Sequence, residues 1–558
     1  MPFLFSRVEE QCRVPYRVLI TDEIDADGVA VLAAEPELMV DLVPTLSRDE
    51  LLARIGAYDA LVGRSATRIS PELLRAAPRL AVVGRAGVGV DNIAVDLATE
   101  MGIAVINAPA GNTIAVTELF FGTVIGLLRH LPRADRSMRD GRWDRSSLLG
   151  SELRGRVLGI VGLGRIGGEI ATRAQAFGMT VVAHDPYVGD GRFHALRVRR
   201  AATLDELLGE AAILTVHTPL TDETRGLIGP RQLALVPPGA VVVNLARGGI
   251  VDEAALAAAL REDRLAGAVL DVFISEPLGA DHPLRSAPNV VLTPHIGAST
   301  VEAQRSVAVE VCRAVRDALL HGELSRSINA AVVDGMQAGD VRPALVLTRQ
   351  LAAVACALLA ARGARAVDRL DVTPGDALGG ARDALLAAAA LGALAPVLSH
   401  ERLNLINARA LAVARGMALS ATEGAPAIAG VAENGAAAYS VRVRVSSGTH
   451  EITVAGVAHP ATATPRITQI GPFHVDVHPR GTLLILNNRD VPGVIGHVGT
   501  VLGAAGVNIA EYHQARLAQG GEALAAVAVD GRLGDAVRQA LLALPDVHSV
   551  TAVELPTE

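Results

Sequence analysis

The chain has 558 residues, of which 50% are hydrophobic, 20% are charged and 3% are aromatic. This composition excludes extensive disorder and favours several globular domains with aliphatic cores. The formal net charge of −8 argues against the basic face that nucleic-acid binding requires, and three scattered cysteines exclude a disulfide framework or a cysteine-rich metal site. We therefore expect a protein of the reducing cytoplasm that has neither a metal site nor a nucleic-acid partner.

The hydropathy pattern predicts no segment that spans a membrane. Residues 381–397 form the most apolar stretch, but Gly392 and Pro396 interrupt it and charged residues flank it. The first fifteen residues lack the apolar centre of a secretory signal.

In chain order, the first 330 residues alternate short apolar strands with amphipathic helices. Such repeats form parallel sheets, which bind ligands at the carboxyl ends of their strands. The pattern predicts an α/β fold with two Rossmann-like or flavodoxin-like, doubly wound domains. The predicted strands are residues 16–21, 60–63, 80–84, 157–161, 180–184, 213–217, 240–244, 268–272 and 290–293.

The pattern changes after about residue 329. A helical stretch rich in Ala, Leu and Arg is followed by two alternating strands, 441–445 and 452–457, which indicates an α+β domain. Residues 482–553 read strand, helix, strand, strand, helix, strand, which is the order of a ferredoxin-like module. We predict four domains: a discontinuous substrate domain (16–112 and 298–329), a cofactor domain (113–297), an intervening domain (330–475) and a regulatory domain (480–558).

A glycine-rich turn follows the predicted strand 157–161 and opens a helix. Gly162 permits the tight turn, Gly164 lets the backbone approach a pyrophosphate, and Gly167 lets the helix pack closely on the strand. The next strand ends at Asp185, whose carboxylate would bind the ribose hydroxyls and repel a 2′-phosphate. The pattern therefore predicts NAD as the cofactor in preference to NADP.

Three reactive side chains follow three later strands of the same predicted sheet. His295 can take a hydroxyl proton, Glu276 can orient the imidazole and stabilise its charged form, and Arg247 can bind a carboxylate with two hydrogen bonds. Because the carboxyl ends of these strands share one edge, the three groups should converge on one crevice. The arrangement predicts hydride transfer between NAD and a small 2-hydroxy acid.

Residues 16–330 resemble the D-isomer-specific 2-hydroxyacid dehydrogenase family, in five motifs that occur in the family's order: residues 84–93, 159–167, 244–252, 271–277 and 294–299. The resemblance implies that Arg247, Glu276 and His295 are the catalytic residues. It also implies that the residues in contact with NAD are Gly162, Gly164, Arg165, Ile166, Gly167, Asp185, Leu245, Ala246, Arg247, Asp271, His295, Ile296, Gly297 and Ala298.

The whole chain resembles the branch of that family that carries two further C-terminal domains. The resemblance implies a homotetramer that oxidises 3-phosphoglycerate in the first step of serine synthesis and reduces 2-oxoglutarate as a side reaction. Arg142 and Trp143 resemble a segment that reaches the neighbouring subunit. An Arg–Ser pair suits a phosphate ester, and the implied substrate residues are Arg64, Ser65, Asn112 and Gln304.

The C-terminal half resembles two regulatory domains. Residues 404–412 resemble the intervening domain of that branch, and the candidates for its basic effector pocket are His459, Arg466 and His474. The terminal module resembles an ACT domain, a small-molecule regulatory unit, and the candidates for binding L-serine across a dimer interface are Asn488, Asp490 and Asn508. The alternative is that this module only mediates assembly.

Two alternatives for the function remain open from the residues. The chain could be a dehydrogenase for another D-2-hydroxy acid, because Arg247, Glu276 and His295 serve any such substrate. It could also be a NAD-sensing binding protein or corepressor on the same fold, since such a protein can retain the catalytic residues.

Overall fold

A computed structural model describes residues 15–331, 333, 338–364, 366–398, 402–422, 439–459 and 464–555. The amino-terminal residues in which no secretory signal is recognised lie almost entirely outside this part of the chain. Within it the strands form four sheets of five, seven, six and four strands.

The first sheet is parallel and consists of β1 (Tyr16–Ile20), β2 (Leu38–Leu42), β3 (Ala60–Gly63), β4 (Val82–Arg85) and β5 (Ala104–Asn107). Its order, β2-β1-β3-β4-β5, is that of flavodoxin-like folds. The central strands are apolar and fully buried, as expected for a sheet that helices cover on both faces. The connecting helices are α1 (Ala26–Ala33), α2 (Arg48–Ile55), α3 (Pro71–Arg75) and α4 (Val95–Glu100).

The second sheet is also parallel and has seven strands: β6 (Val157–Val161), β7 (Thr180–His184), β8 (Arg199–Arg200), β9 (Ile213–Val216), β10 (Ala240–Asn244), β11 (Leu265–Leu270) and β12 (Val290–Leu292). Its order, β12-β11-β10-β9-β6-β7-β8, is that of a dinucleotide-binding Rossmann sheet with one added strand. Its helices are α5 (Thr113–Leu128), α6 (Leu131–Arg139), α7 (Arg165–Ala176), α8 (Asp190–Leu196), α9 (Leu204–Leu208), α10 (Pro230–Leu235) and α11 (Glu253–Arg261).

Helix α12 (Val301–His321) leads the chain back to the first sheet. Thr300 caps its start by accepting a hydrogen bond from the Ala303 amide at 3.1 Å, and Gly322 ends it in the left-handed conformation. Its apolar face packs into the core of the first sheet through Val307, Val311 and Val315. The core of the first sheet is therefore formed by residues that precede the second sheet in the chain and by α12, which follows it.

The third sheet is mixed and consists of β13 (Arg369–Pro374), β14 (Ala418–Ala421), β15 (Ser440–Ser447), β16 (His450–Val457), β17 (Arg466–Ile470) and β18 (Phe473–Val477). Only β13 and β14 pair in parallel, at one edge of the order β14-β13-β15-β16-β17-β18. Helices α13 (Ala338–Ala361), α14 (Arg382–Leu394) and α15 (Ala408–Ala414) belong to this unit.

The fourth sheet is antiparallel and is formed by β19 (Thr482–Arg489), β20 (Ile509–Arg516), β21 (Glu522–Val529) and β22 (Val547–Glu554). With helices α16 (Val494–Ala504) and α17 (Asp535–Leu542), its order β20-β21-β19-β22 is that of a ferredoxin-like module. Because strand side chains alternate, β19 serves two cores. Leu484 and Leu486 pack with α16 and α17, whereas Leu483 and Ile485 join the core of the third sheet.

The structure confirms the α/β fold class, and four predicted strands agree with β3, β6, β7 and β10 in both bounds. Strands β2, β5 and β8 were not predicted. Edge strands β2 and β8 carry charged or exposed residues, so their hydrophobic signal is weak. The four-domain division itself stays a prediction.

The expectation that no stretch could span a membrane was wrong by length and composition. Val341–Ala361 and Asp376–Leu394 are long and apolar enough to cross a membrane, with mean hydropathies of 1.9 and 1.3. In the most apolar 18-residue window of each stretch, 61% and 72% of the residues, respectively, are buried within the protein. They pack on each other and on the third sheet, so the apolar composition serves a helix–sheet core in this structure.

Candidate active site

The carboxyl ends of β10, β11 and β12 carry the three predicted catalytic residues, and the structure brings two of them into direct contact. His295 Nδ1 lies 2.8 Å from Glu276 Oε2. The other oxygen of Glu276 accepts a hydrogen bond from the Phe273 amide at 3.0 Å. An ionised carboxylate only accepts hydrogen bonds, so the Nδ1 proton is donated to Glu276 and Nε2 is left as the basic nitrogen.

The backbone of His295 has a left-handed φ of 53°, a conformation that is costly for a residue with a side chain. Asp271 holds it there. This carboxylate accepts hydrogen bonds from the amides of Ile296 and Gly297, both at 2.8 Å, and from the Thr293 hydroxyl at 2.5 Å. Asp271 is only 1% exposed, and both of its carboxylate oxygens accept hydrogen bonds from this segment. Its predicted contact with NAD stays a prediction.

Arg247 connects the second sheet to the first. Its Nε donates to Asp91 Oδ2 at 3.0 Å and its Nη1 donates to the Ala246 carbonyl at 2.6 Å. Asn244 fixes the same loop, because its side chain bonds the Arg247 carbonyl at 2.9 Å and the Ala246 amide at 3.1 Å. No described residue accepts from Nη2, so this nitrogen can bind a substrate.

The loop of Arg247 packs directly on the turn that carries Glu276. A Cβ atom at Gly248 would lie 2.0 Å from both the carbonyl carbon and the carbonyl oxygen of Phe273. Only glycine permits this approach. The backbone of Phe273 therefore sets the separation between the arginine and the histidine–glutamate pair.

The turn after β6 fits a dinucleotide. Gly162 has a φ of +94°, and a Cβ atom there would lie 2.6 Å from the His217 carbonyl oxygen. Gly164 is the N-cap of α7 and no side chain caps that helix, so its first amides remain for a pyrophosphate. A Cβ atom at Gly167 would lie 2.2 Å from the Gly162 carbonyl oxygen, which confirms the close packing predicted for it.

Asp185 lies beside this turn, as predicted. Its carboxylate accepts hydrogen bonds from the amides of Leu163 and Tyr187, both at 2.9 Å. Arg192, which sequence reasoning missed, donates to the carbonyl oxygens of Leu163 and Gly164, both at 2.7 Å. Together these residues fix the peptide planes of the glycine-rich turn, and the cradle fits NAD.

Four polar atoms at the cleft are buried without a partner among the described residues: Asn112 Oδ1, Thr113 Oγ1, His217 Nδ1 and Thr218 Oγ1. Unsatisfied buried groups of this kind are rare and indicate an absent ligand or water. Burial lowers the pKa of His217 to about 3, so its ring is neutral at pH 7. Of these atoms only the Asn112 group was predicted, as a substrate contact.

The remaining predicted substrate residues are placed differently. Asp22 and Asn92 clamp the loop of Arg64 and Ser65, since Asp22 accepts from the Arg64 amide at 2.6 Å and Asn92 donates to the Arg64 carbonyl at 3.0 Å. Gln304 donates to the Ala298 carbonyl at 2.6 Å, so in this structure it holds the segment after His295.

Arg85 at the end of β4 is a further cation of the cleft that sequence reasoning missed. Burial, and next the charge of Arg247, lower its pKa to about 10, and Arg64 acts in the same direction. Its Nε is buried and has no partner among the described residues. A guanidinium in this state calls for an anion.

The structure does not bring the predicted serine residues together within one chain. Asp490 lies beyond the end of β19 and accepts from Arg516 Nη1 at 3.1 Å and from the Gly520 amide at 3.0 Å, contacts that lower its pKa. Asn508 precedes β20 and donates to Asp530 at 2.7 Å. The two candidates thus lie at opposite ends of β20, whose eight residues span roughly 26 Å.

Two other effector candidates are occupied by protein contacts. Asn488 is buried, donates to the Arg489 carbonyl and accepts from Gln514. Arg466 bonds Asp476 at 2.7 Å and Glu511 at 2.6 Å, and thereby joins the third sheet to the fourth. The ring of His459 packs against Tyr439, and His474 lies exposed on β18.

Residues 121–297 match the family described as D-isomer specific 2-hydroxyacid dehydrogenase, NAD binding domain. Among solved structures, D-lactate dehydrogenase from Aquifex aeolicus in complex with NAD and lactic acid is 28% identical, with a TM-score of 0.50 over 55% of this chain and 97% of that one. The family model and this neighbour support NAD as the cofactor of this chain.

Relatives of full length narrow the family. D-3-phosphoglycerate dehydrogenase of Bacillus subtilis (strain 168) is 36% identical over 97% of this chain and 100% of that protein. D-3-phosphoglycerate dehydrogenase of Mycobacterium tuberculosis (strain ATCC 25618 / H37Rv) is 38% identical over 96% of this chain and 99% of that protein. The match extends over the third and fourth sheets, and the chain is a member of the D-isomer-specific 2-hydroxyacid dehydrogenase family. The predicted enzyme class and cofactor are confirmed.

The contact between Gly248 and Phe273 yields a prediction. Gly248→Ala should lower kcat about 100-fold, because the new methyl group must push the turn that holds Glu276 away from Arg247. Steady-state kinetics would measure this. Gly279→Ala is the matched control, since a Cβ atom there meets nothing within 4 Å and kcat should be retained. Wild-type kcat in Gly248→Ala would show that the turn does not set the geometry.

Proposed function

We propose that this protein oxidises 3-phospho-D-glycerate to 3-phosphohydroxypyruvate with NAD, the first step of serine synthesis. The observation that carries the proposal is that the neighbouring residues Asp91 and Asn92 hold Arg247 and the loop of Arg64 at one cleft. Both arginines also lower the pKa of Arg85, which places that third cation near them. The similarity to D-3-phosphoglycerate dehydrogenases over the full chain supports the same substrate.

The roles of the catalytic residues follow from their geometry. Nε2 of His295 accepts the proton of the C2 hydroxyl, and Glu276 stabilises the resulting imidazolium through Nδ1. Arg247 binds the C1 carboxylate and polarises the C2 oxygen as it becomes a carbonyl. The glycine-rich turn would hold NAD, which would supply the acceptor for the hydride from C2.

The phosphate sets this substrate apart from other hydroxy acids. Arg64 is half-buried on a clamped loop, and the exposed Ser65 follows it, so the pair can bind phosphate oxygens without reorganising the backbone. Arg85 supplies a second charge near them, and its desolvation is offset when a dianion arrives. With a substrate that has an uncharged side group, the buried Nε of Arg85 would gain no anionic partner.

We further propose the four-domain division given above and a cytoplasmic homotetramer. Trp143 is 78% exposed and Leu149 is 89% exposed, next to α6. Large apolar side chains in this state favour contact with another subunit. Arg142 pairs with Asp140 and Asp144 at the same surface.

We infer that L-serine is an effector and that a second copy completes its site. Asp490 can bind the ammonium group and Asn508 the carboxylate, but one chain holds them at opposite ends of β20. Two terminal modules placed side by side with opposed strands bring Asp490 of one chain near Asn508 of the other.

Arg64→Ala should separate phosphoglycerate from other substrates. We expect KM for 3-phosphoglycerate to rise at least about tenfold, because a charge-assisted contact to phosphate is lost, whereas turnover of D-glycerate, D-lactate or 2-oxoglutarate changes little. The absorbance of NADH measures the rate of turnover with each substrate. His295→Asn is the control that should abolish turnover of all substrates. Activity of the wild type on D-lactate but not on 3-phosphoglycerate would contradict the substrate proposal.

Serine binding is tested separately by thermal shift. L-serine should raise the melting temperature of the wild type, because a ligand that binds the folded state stabilises it. Asp490→Ala should abolish the shift, whereas Asp535→Ala, which alters an exposed acid of the same module, should retain it. A wild type that shows no shift would leave the module with an assembly role alone.

A further inference from the structure

A second carboxylate–imidazole pair lies beneath the catalytic one. Glu253, the first residue of α11, is only 5% exposed, and its Oε2 lies 2.9 Å from Nε2 of His282. Neither residue belongs to the predicted site. Burial of a carboxylate costs several kcal/mol unless hydrogen bonds and charges compensate it.

The second oxygen of Glu253 reaches the catalytic turn. Its Oε1 accepts the Ile274 amide at 2.7 Å, while the preceding amide, that of Phe273, is donated to the catalytic Glu276 at 3.0 Å. Two consecutive amides are thus held by two carboxylates, one in the cleft and one in the core. Glu253, which does not face the cleft, therefore fixes the position of the turn from the core side.

His282 is held in one tautomer by its neighbours. Its Nδ1 accepts the Leu284 amide at 3.4 Å, so that nitrogen carries no proton and Nε2 donates to Glu253. Glu253 also lies in the first turn of α11, where the helix dipole stabilises a negative charge. These contacts give both oxygens of the buried carboxylate a partner and direct Oε1 at the Ile274 amide.

We propose that Glu253 and His282 are positioning residues for the reaction and act through Glu276. The buried pair fixes the Ile274 amide, and this fixes the turn from which Glu276 orients His295. The inference rests on the proposed dehydrogenase function, since it assigns these residues to the same catalytic turn.

The test compares Glu253→Leu with Glu253→Gln. Leucine removes the acceptor for Ile274, and kcat should fall about 10- to 100-fold. KM for 3-phosphoglycerate and Kd for NAD should stay within about twofold, because Arg64 and the glycine-rich turn are untouched. Glutamine keeps an oxygen for Ile274 and should restore most of kcat. Glu262→Leu, at the exposed end of the same helix, is the matched control and should retain wild-type kcat.

A double-mutant comparison distinguishes positioning from general stability. In a Glu276→Gln background, Glu253→Leu should lower kcat by no more than about twofold further, because the residue through which it acts is already impaired. Equal losses in both backgrounds, or a parallel loss of NAD affinity, would overturn the proposal. If Glu253→Leu does not fold, His282→Asn should show the same loss confined to kcat, and unchanged kcat there would also overturn it.

The wild-type rate keeps the two proposals apart. If the wild type does not oxidise 3-phosphoglycerate, the proposed substrate fails, and the variant-to-wild-type ratio is then measured with D-glycerate or D-lactate. If kcat of Glu253→Leu equals that of the wild type with a substrate that the wild type oxidises, the positioning role is contradicted. The proposed substrate is not affected by that result.

Discussion

The catalytic geometry depends on one short frame after β11. This frame consists of the buried carboxylate of Asp271 and the backbone amides of Phe273 and Ile274. Asp271 holds the strained backbone at His295, the Phe273 amide holds Glu276, and the Phe273 carbonyl abuts Gly248 beside Arg247. These contacts join the ends of three strands through a backbone with little freedom. Effective catalysis requires such preorganisation, because small displacements of reacting groups are costly.

The electrostatics of the cleft complement this frame. Asp91 is the acid that the structure pairs with Arg247, while Arg85 is half-buried and its buried Nε has no partner among the described residues. The free protein therefore holds positive charge that is incompletely neutralised, at a cost to its stability. A substrate with a carboxylate and a phosphate supplies the opposite charge and removes that cost.

Local sequence patterns predicted most of the fold and the proximity of Glu276 to His295, but not the contacts that support them. The strands 157–161, 180–184 and 240–244 are short apolar runs that end at chemistry-bearing residues, so their pattern is strong. The roles of Asp22, Arg85 and Glu253 depend on partners distant in the chain, and no local pattern reports such partners. The apolar stretch at α14 was underestimated because Gly392 and Pro396 interrupt its composition, although α14 packs in the core of the third sheet. The separation of Asp490 from Asn508 follows from strand pairing, which spacing alone does not reveal.

The alignment of the hydride donor is the central claim, and a primary deuterium isotope effect tests it most directly. 3-Phospho-D-glycerate carrying deuterium at C2 would be compared with the unlabelled substrate in the wild type and in Asp271→Asn, which weakens the anchor of the His295 segment. Our account predicts a lower kcat in the variant with a larger isotope effect on kcat, because hydride transfer becomes the slow step. A lower kcat without an isotope effect, or an unchanged kcat, would contradict it.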